Sequence, residues 1–281
     1  MTIAVLMSVY KNETAARLDR CMKSIWDDQT LKPNQIILVE DGPLPDELHQ
    51  VIDIWKNRLN DVMDILVNKE NIGLTKSLNR GIDIVKTDLI ARMDTDDQSM
   101  PTRFEVQERY LEDHPEIDVL GGANNVVDGE GNLKYTQYFT ASHEDMMKQI
   151  CWRCPLSHPT VMMRTSMFTE KGLKYDERFR NSQDIALWVD AALAGCRFAN
   201  SEDIVLSFTE DSDVYKRRGK VRAKNEYKSF ARAAKLLHGK YSWRRLLPVV
   251  RYCFRRMPVW LIGAIYNSKP FRRVFSKDRN V

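Results

Sequence analysis

The N-terminal third of the chain alternates between short apolar segments and helix-like segments, and this alternation constrains the fold most strongly. The apolar segments have the length of strands and lie at residues 3–9, 35–39, 63–67 and 89–93. Between them, the sequence predicts helices at residues 14–28, 45–58 and 74–85. Strands that alternate with helices form βαβ units, in which a parallel sheet is covered by helices on both faces. The sequence therefore predicts an α/β fold.

The middle of the chain is less regular but still carries recognisable elements. We expect a helix at 103–113, a strand at 117–121, a hairpin turn at 128–131, a strand at 161–164 and a helix at 185–193. Asp184 directly precedes the last helix, where an acid stabilises the first turn. The same position would also hold a carboxylate fixed for use as a general base.

Polar, turn-forming residues follow each of the first four predicted strands. In a parallel sheet the carboxyl ends of the strands share one edge, and ligands bind there. Each turn alone is ordinary loop chemistry, but four at one edge predict a pocket. The four groups are Ser8-Val9-Tyr10, Glu40-Asp41-Gly42, Asn71-Ile72-Gly73 and Asp94-Thr95-Asp96-Asp97.

The last of these groups places three carboxylates within four positions. Like charges packed this closely repel one another and are costly to desolvate, so we expect a cation among them. Oxygen ligands of this kind suit Mg²⁺ or Mn²⁺, which also bind substrate phosphates. A short motif does not prove a metal site by itself. The alternative is that these residues form only an acidic loop or a helix cap ahead of Pro101.

Several other classes of protein lack support. No G-x-G-x-x-G loop follows the first strand, and no Walker-type loop is present, which argues against dinucleotide-binding and P-loop proteins. We expect no signal peptide or transmembrane helix. The five scattered cysteines indicate reduced thiols, and the Cys151-x-x-Cys154 pair has no second pair to complete a zinc site.

Charge divides the chain into two regions. Residues 215–281 carry 20 Lys/Arg and two acids, a net charge of +18, whereas the other 214 residues carry 23 bases and 37 acids, a net charge of −14. The basic region interleaves cations with Trp, Tyr, Phe and Leu in a helical pattern, which is typical of a helix that lies on an anionic membrane surface. There are two alternatives. The helices could pack on the main domain with their charged face in solvent, or the basic region could bind nucleic acid.

The order of the motifs resembles one family. The run Val5-Leu6-Met7-Ser8-Val9-Tyr10, the Asp-Gly turn, the Asn-x-Gly element, the D-x-D-D cluster and Gln183-Asp184 before a Leu-Trp helix resemble inverting family-two glycosyltransferases with the GT-A fold. Among these, the chain looks like the bacterial enzymes that build O-antigen or exopolysaccharide repeats, including the amylovoran-type transferases. The resemblance covers residues 1–210. It implies a GT-A domain at 1–212, with a nucleotide-binding half (1–100) and an acceptor half (101–212). The charge and the helical pattern add a basic amphipathic helical extension at 213–281 for membrane-surface association.

The resemblance also implies a role for each matching residue. Asp184 would be the catalytic base, and Asp96 would hold Mn²⁺ or Mg²⁺. His158 and Gln183 would face the acceptor or the pyrophosphate, although a structural histidine is the alternative for His158. Glu40-Asp41-Gly42-Pro43 stands where many relatives have Asp-Asp-Gly-Ser, so a role for Glu40 does not carry over. The implied nucleotide-sugar-binding residues are Ser8, Val9, Tyr10, Asp41, Asn71, Gly73, Arg80, Asp94, Thr95 and Asp97.

The implied activity is transfer of a hexose from a UDP-sugar to a polyprenyl-diphosphate-linked HexNAc during synthesis of O-antigen or another surface polysaccharide. Galactose in a β1,3 linkage is the first expectation, with glucose or GlcNAc as alternatives. The enzyme would be cytoplasmic and peripheral on the inner face of the bacterial inner membrane. A nucleotidyltransferase and a non-catalytic membrane or nucleic-acid binding protein are the rival classes.

Overall fold

The computed structural model describes residues 1–179, 182–210 and 220–256, with side chains from residue 223 onward in the last range. Within these residues, nine strands form a single sheet. The strands are β1 (Ile3–Val9), β2 (Gln35–Glu40), β3 (Met63–Val67), β4 (Leu89–Arg92), β5 (Gln98–Ser99), β6 (Val119–Val127), β7 (Leu133–Gln137), β8 (Met162–Arg164) and β9 (Phe198–Thr209). Their order is β3-β2-β1-β4-β8-β6-β9-β5, and β7 also pairs with β6.

Helices connect the strands and cover the sheet. The first four strands are mutually parallel, as the alternation of elements predicts. The helices are α1 (Ala15–Ile25), α2 (Asp46–Leu59), α3 (Leu74–Ile82), α4 (Arg103–Asp113), α5 (His143–Gln149), α6 (Ser166–Thr169), α7 (Gln183–Leu193), α8 (Lys220–His238) and α9 (Leu246–Arg256). The predicted α/β fold with a mostly parallel, helix-covered sheet is confirmed.

Strand β1 shows why the apolar segments are nearly continuous rather than alternating. Successive side chains of a strand point to opposite faces of the sheet. Ile3, Val5 and Met7 pack in the core cluster that contains residues of α1 and α2, whereas Ala4 and Leu6 pack in the cluster that contains residues of α3 and α7. Both faces are buried, so residues 3–7 are all apolar, and only Ser8, near the end of the strand, is polar.

The second half of the sheet is mixed. Strand β8 runs antiparallel to both β4 and β6, while β9 runs parallel to β6. Strand β8 therefore joins the N-terminal parallel strands to the pair β6 and β9. The predicted hairpin is confirmed as the β6–β7 pair.

Four elements escaped the sequence analysis, and one strand is longer than expected. The short elements α6 and β5, helix α5 and strand β9 were not predicted. In β9, polar residues 200–203 interrupt the apolar pattern. Strand β6 continues past Gly121 to Val127. A Cβ atom at Gly121 would lie 2.1 Å from Asn200 Oδ1, so this glycine permits close approach of β9 rather than ending the strand.

The first helix of the basic region packs on the α/β domain. Arg232 of α8 forms an ion pair with Asp190 of α7, and the hydroxyl groups of Ser182 and Ser229 lie 2.8 Å apart. The predicted helical character is confirmed for α8 and α9, while residues 213–219 and 257–281 lie outside the described residues. Among the described helices, none is long and apolar enough to cross a membrane.

Candidate active site

A cavity of about 770 Å³ opens at the carboxyl edge of β1, β2 and β4. It brings together residues that lie far apart in the chain, including the acid cluster after β4 and the start of α7. The sequence-predicted residues that line it are Ser8, Tyr10, Asp41, Asn71, Gly73, Asp94, Thr95, Asp96, His158, Gln183 and Asp184. The structure therefore places these residues at one shared pocket.

Asp41 holds the turn after β2 against the loop that precedes α3. Its carboxylate accepts hydrogen bonds from the backbone N–H of Ile72 at 2.8 Å and of Gly73 at 3.0 Å, and from Asn68 Nδ2 at 3.1 Å. Gly42, the next residue, has a φ of 93°, which favours glycine. Because a carboxylate has further lone pairs, Asp41 still has acceptor capacity on the Oδ2 side.

The acid cluster satisfies the geometric requirement for a cation site. Asp94, Asp96 and Asp97 each offer an oxygen, and these atoms lie within 4.8 Å of one another. Burial and the charge of Asp94 raise the pKa of Asp96 to about 6, and the same causes raise the pKa of Asp97 well above its usual value. Asp97 Oδ2 is buried without a partner among the described residues. A hard divalent ion such as Mn²⁺ or Mg²⁺ suits this oxygen donor set.

Asp184 stands in the first turn of α7, as the sequence predicts, and lines the same cavity as the acid cluster. The Cys154 Sγ atom lies 3.5 Å from Asp184 Oδ2. Burial raises the pKa of Asp184. A carboxylate whose pKa is raised is a stronger base, which suits removal of a proton from a hydroxyl group.

His158 is a buried, neutral imidazole. Its Nε2 atom lies 2.7 Å from the hydroxyl oxygen of Tyr175. Burial, and after it the positive charge of Arg92, lowers the pKa of His158 well below its usual value. The ring therefore offers hydrogen bonding rather than a positive charge to any group in the cavity.

Three predicted site residues do not line the cavity. The Val9 side chain is completely buried in the core. Arg80 donates hydrogen bonds to the Val67 carbonyl and the Asn68 side chain, so its guanidinium supports the end of β3. Asp97 belongs to the acid cluster but is buried, and its Oδ1 accepts a hydrogen bond from Thr209 N at 2.9 Å.

Other lining residues were missed by the sequence analysis. Thr95 donates a hydrogen bond to Glu13 Oε2 at 2.8 Å, and Arg92 forms an ion pair with Asp94. A charged residue inside the apolar segment 89–93 was a visible signal for Arg92, whereas the loop after β1 carried none. The five missed lining residues are Asn12, Glu13, Arg17, Leu74 and Arg92.

Comparison with solved structures identifies the class of fold. Staphylococcus aureus TarS 1–349 in complex with UDP aligns with a TM-score of 0.65 at 14% identity, covering 97% of this chain and 77% of that one. The mannosyltransferase PcManGT from Pyrobaculum calidifontis, in complex with GDP-Man and Mn²⁺, aligns with a TM-score of 0.62 at 14% identity, covering 98% and 83%. The fold is therefore that of GT-A glycosyltransferases.

Sequence comparison then identifies the family. The amylovoran biosynthesis glycosyltransferase AmsE of Erwinia amylovora is 32% identical over 94% of this chain and 98% of its own length. An Escherichia coli UDP-Gal:alpha-D-GlcNAc-diphosphoundecaprenol beta-1,3-galactosyltransferase is 27% identical over 96% of each chain. The model of Glycosyl transferase family 2 matches residues 5–172. The chain belongs to glycosyltransferase family 2 and uses a nucleotide sugar.

Proposed function

We propose that this glycosyltransferase transfers a hexose, with inversion, from a UDP-sugar to a polyprenyl-diphosphate-linked HexNAc during assembly of a surface polysaccharide. Galactose in a β1,3 linkage is the first candidate. The similarity to AmsE and to the E. coli galactosyltransferase supports the pathway and the donor. The alternatives are UDP-glucose and UDP-GlcNAc, which the same chemistry would serve.

The observation that carries the proposal is the shared cavity of Asp184 and the acid cluster. An inverting transfer needs a site for the leaving diphosphate and a base on the opposite face of the sugar. Asp94 and Asp96 occupy one part of the cavity lining, and Asp184 enters it from α7. These are the two functions that the reaction requires.

The roles of the chain's residues follow from this arrangement. Tyr10 and Asp41 would hold the nucleoside at the ends of β1 and β2. Asp94 and Asp96 would hold the cation, which when bound neutralises charge on the departing UDP. Asp184 takes the proton from the acceptor hydroxyl group. At the same time the oxygen of that hydroxyl group bonds to the anomeric carbon, and the bond between this carbon and UDP breaks. An α-linked donor thereby gives a β-linked product.

Transfer from a panel of UDP-sugars to polyprenyl-diphosphate GlcNAc or GalNAc tests this proposal. We expect a lipid-linked disaccharide by mass spectrometry and a β anomeric signal by NMR. Glucosyl or GlcNAc products would change the donor but keep the reaction class. Failure to bind UDP in the presence of Mn²⁺, together with no transfer from any donor, would overturn the proposal.

We also propose that the basic helices hold the enzyme on the inner, anionic face of the membrane, where a lipid-linked acceptor lies. The segment from Lys240 to Val250 exposes large apolar side chains next to cations. Tyr241 is 92% exposed, Trp243 66% and Leu246 64%. Apolar groups interleaved with bases suit insertion at an anionic interface.

Vesicle co-sedimentation of the full chain tests this membrane association. The double substitution Trp243→Ser and Leu246→Ser should reduce binding to vesicles that contain phosphatidylglycerol. Ile54→Ser is the matched control, because Ile54 is also 64% exposed but lies on α2. Equal binding by the wild-type chain and the double variant would contradict this role.

A further inference from the structure

Arg92 is a buried cation on the floor of the cavity. It is the last residue of β4, its exposed fraction is 3%, and the rest of this strand is apolar. Arginine is almost never fully buried unless it is paired. A guanidinium at this position therefore requires an explanation, because the strand could have continued with an apolar side chain.

The hydrogen-bonding capacity of Arg92 is only partly used. Its Nη2 atom donates to Asp94, while Nε and Nη1 are buried without a partner among the described residues. Each buried, unsatisfied donor costs about 1–3 kcal/mol. Arg92 lines the cavity, while these two atoms are sealed from solvent, so a group that enters the cavity accepts their hydrogen bonds once the guanidinium shifts toward it.

Arg103 shows that the surrounding core can satisfy a buried arginine. It is fully buried, and its Nε and Nη2 atoms donate to Gln107 Oε1 at 3.1 Å and to the Arg92 carbonyl at 2.8 Å. Arg103 does not line the cavity. The unpaired donors of Arg92 are thus a property of its position at the cavity and not of arginine burial in this core.

Arg92 acts on both sides of the cavity. Its ion pair with Asp94 links it to the acid cluster. Burial raises the pKa of Asp184, and the positive charge of Arg92 is among the effects that oppose this rise. In a transfer reaction, the sugar being transferred must lie between the leaving diphosphate and the base. Its ring hydroxyl groups are therefore the acceptors that reach a donor in this position.

We propose that Arg92 is a specificity-determining residue for the donor sugar: Nη2 orients Asp94, while Nε and Nη1 donate hydrogen bonds to ring hydroxyl groups of the transferred hexose. The ligand class is a nucleoside-diphosphate hexose. This inference rests on the proposed function of the same site, and it assigns to Arg92 the recognition of the sugar rather than of the nucleotide.

The test compares Arg92→Lys with the matched control Arg103→Lys in the full chain. Affinities for UDP and for a UDP-hexose that the wild type turns over are measured by calorimetry, with Mn²⁺ in every arm. Lysine keeps the charge but lacks the planar fork of donors. Loss of a charge-assisted hydrogen bond should weaken UDP-hexose binding about 10- to 100-fold in R92K. UDP affinity should stay within about threefold, because lysine keeps the positive charge beside Asp94.

In R103K, we expect a lower Tm and an unchanged ratio of UDP-hexose to UDP affinity. Equal losses of both affinities in R92K would overturn the inference and assign the guanidinium to the diphosphate. Unchanged affinities would reduce Arg92 to a structural partner of Asp94. A wild-type chain that binds no UDP-sugar would instead defeat the proposed function, so the two failures are distinguishable.

A second measurement needs no variant and applies if R92K does not fold. UDP-hexose analogues that each lack one ring hydroxyl are titrated against the wild-type chain. Selective loss of affinity for one analogue supports a polar contact from the cavity floor. Equal affinity for all analogues would overturn the inference.

Discussion

Asp184→Asn tests the centre of the proposed mechanism. Asn has nearly the shape of Asp, so it leaves no cavity in the first turn of α7, but it cannot accept the acceptor's proton. Asp184 lines the cavity and contacts the Cys154 thiol, whose S–H can still donate to the amide oxygen. The substitution therefore removes the base and little else.

The expected loss of kcat follows from the environment of Asp184. A positioned general base contributes about 10²- to 10⁴-fold. Because burial raises the pKa of Asp184, the carboxylate is a stronger base than usual, and we expect a loss of about 10³- to 10⁴-fold. This corresponds to about 4–5.5 kcal/mol of transition-state stabilisation.

Stability should not fall in D184N. A carboxyl group whose pKa is raised in the folded state destabilises the fold above that pKa, because the charged form is disfavoured there. Asn carries no charge, so the Tm at neutral pH should equal or exceed that of the wild type. A loss of activity in D184N then cannot be attributed to unfolding.

The assay measures transfer to the lipid-linked acceptor together with UDP affinity. Asp190→Asn is the matched control, because Asp190 lies on the same helix and pairs with Arg232 outside the cavity. D190N should keep its turnover and lose at most about 1 kcal/mol of stability. D184N turnover within about tenfold of the wild type would refute the base assignment. Loss of UDP binding would place Asp184 in the donor pocket instead.

The remaining predictions concern the cation, pH and the turn after β2. Asp96→Ala should abolish the Mn²⁺-dependent part of UDP binding. If the wild type and D96A each bind UDP equally well with and without Mn²⁺, Asp96 does not hold the cation. The value of kcat/KM should fall on the acid side as Asp184 gains a proton, and the fall should begin at a higher pH than for an ordinary Asp, whose pKa is about 3.9; a fall that begins no higher than for an ordinary Asp would contradict this assignment. Gly42→Ala should destabilise the fold by about 1–3 kcal/mol and weaken UDP binding, because its φ is 93° and its Cβ would lie 2.6 Å from Asn71 N. Gly131→Ala is the control, since Gly131 has a φ of 92° but no atom within 4 Å of an added Cβ. The Tm of G42A should therefore be lower than that of G131A.

Much of the site could be predicted because turn residues follow strands that the hydrophobic pattern already locates. Asp41, Asn71 and the Asp94–Asp96 pair lie where parallel strands end, and the structure places them at one cavity. Arg80 shows the limit of this reasoning. Its position on α3 is close to the site, but hydrogen bonds to Val67 and Asn68 direct its guanidinium elsewhere.

Strand β9 illustrates a second limit. Its polar residues give no strand pattern by themselves, yet the strand is held by β6 on one side and β5 on the other. The partner strands are distant from β9 in the sequence. Their backbone hydrogen bonds can stabilise a strand that its own side chains do not predict. The antiparallel position of β8 between β4 and β6 is of the same kind.

The sequence by itself determined the parallel α/β core and the acid cluster after β4, because burial on both faces of a sheet and crowding of carboxylates are local properties of the chain. The tertiary structure decided which side chains meet. It brought Asp184 into the same cavity as Asp94, kept Arg80 and Asp97 out of the lining, and left Arg92 Nε and Nη1 without a partner among the described residues. Side-chain direction and pairing between distant segments depend on how whole elements pack, and no local pattern encodes that packing.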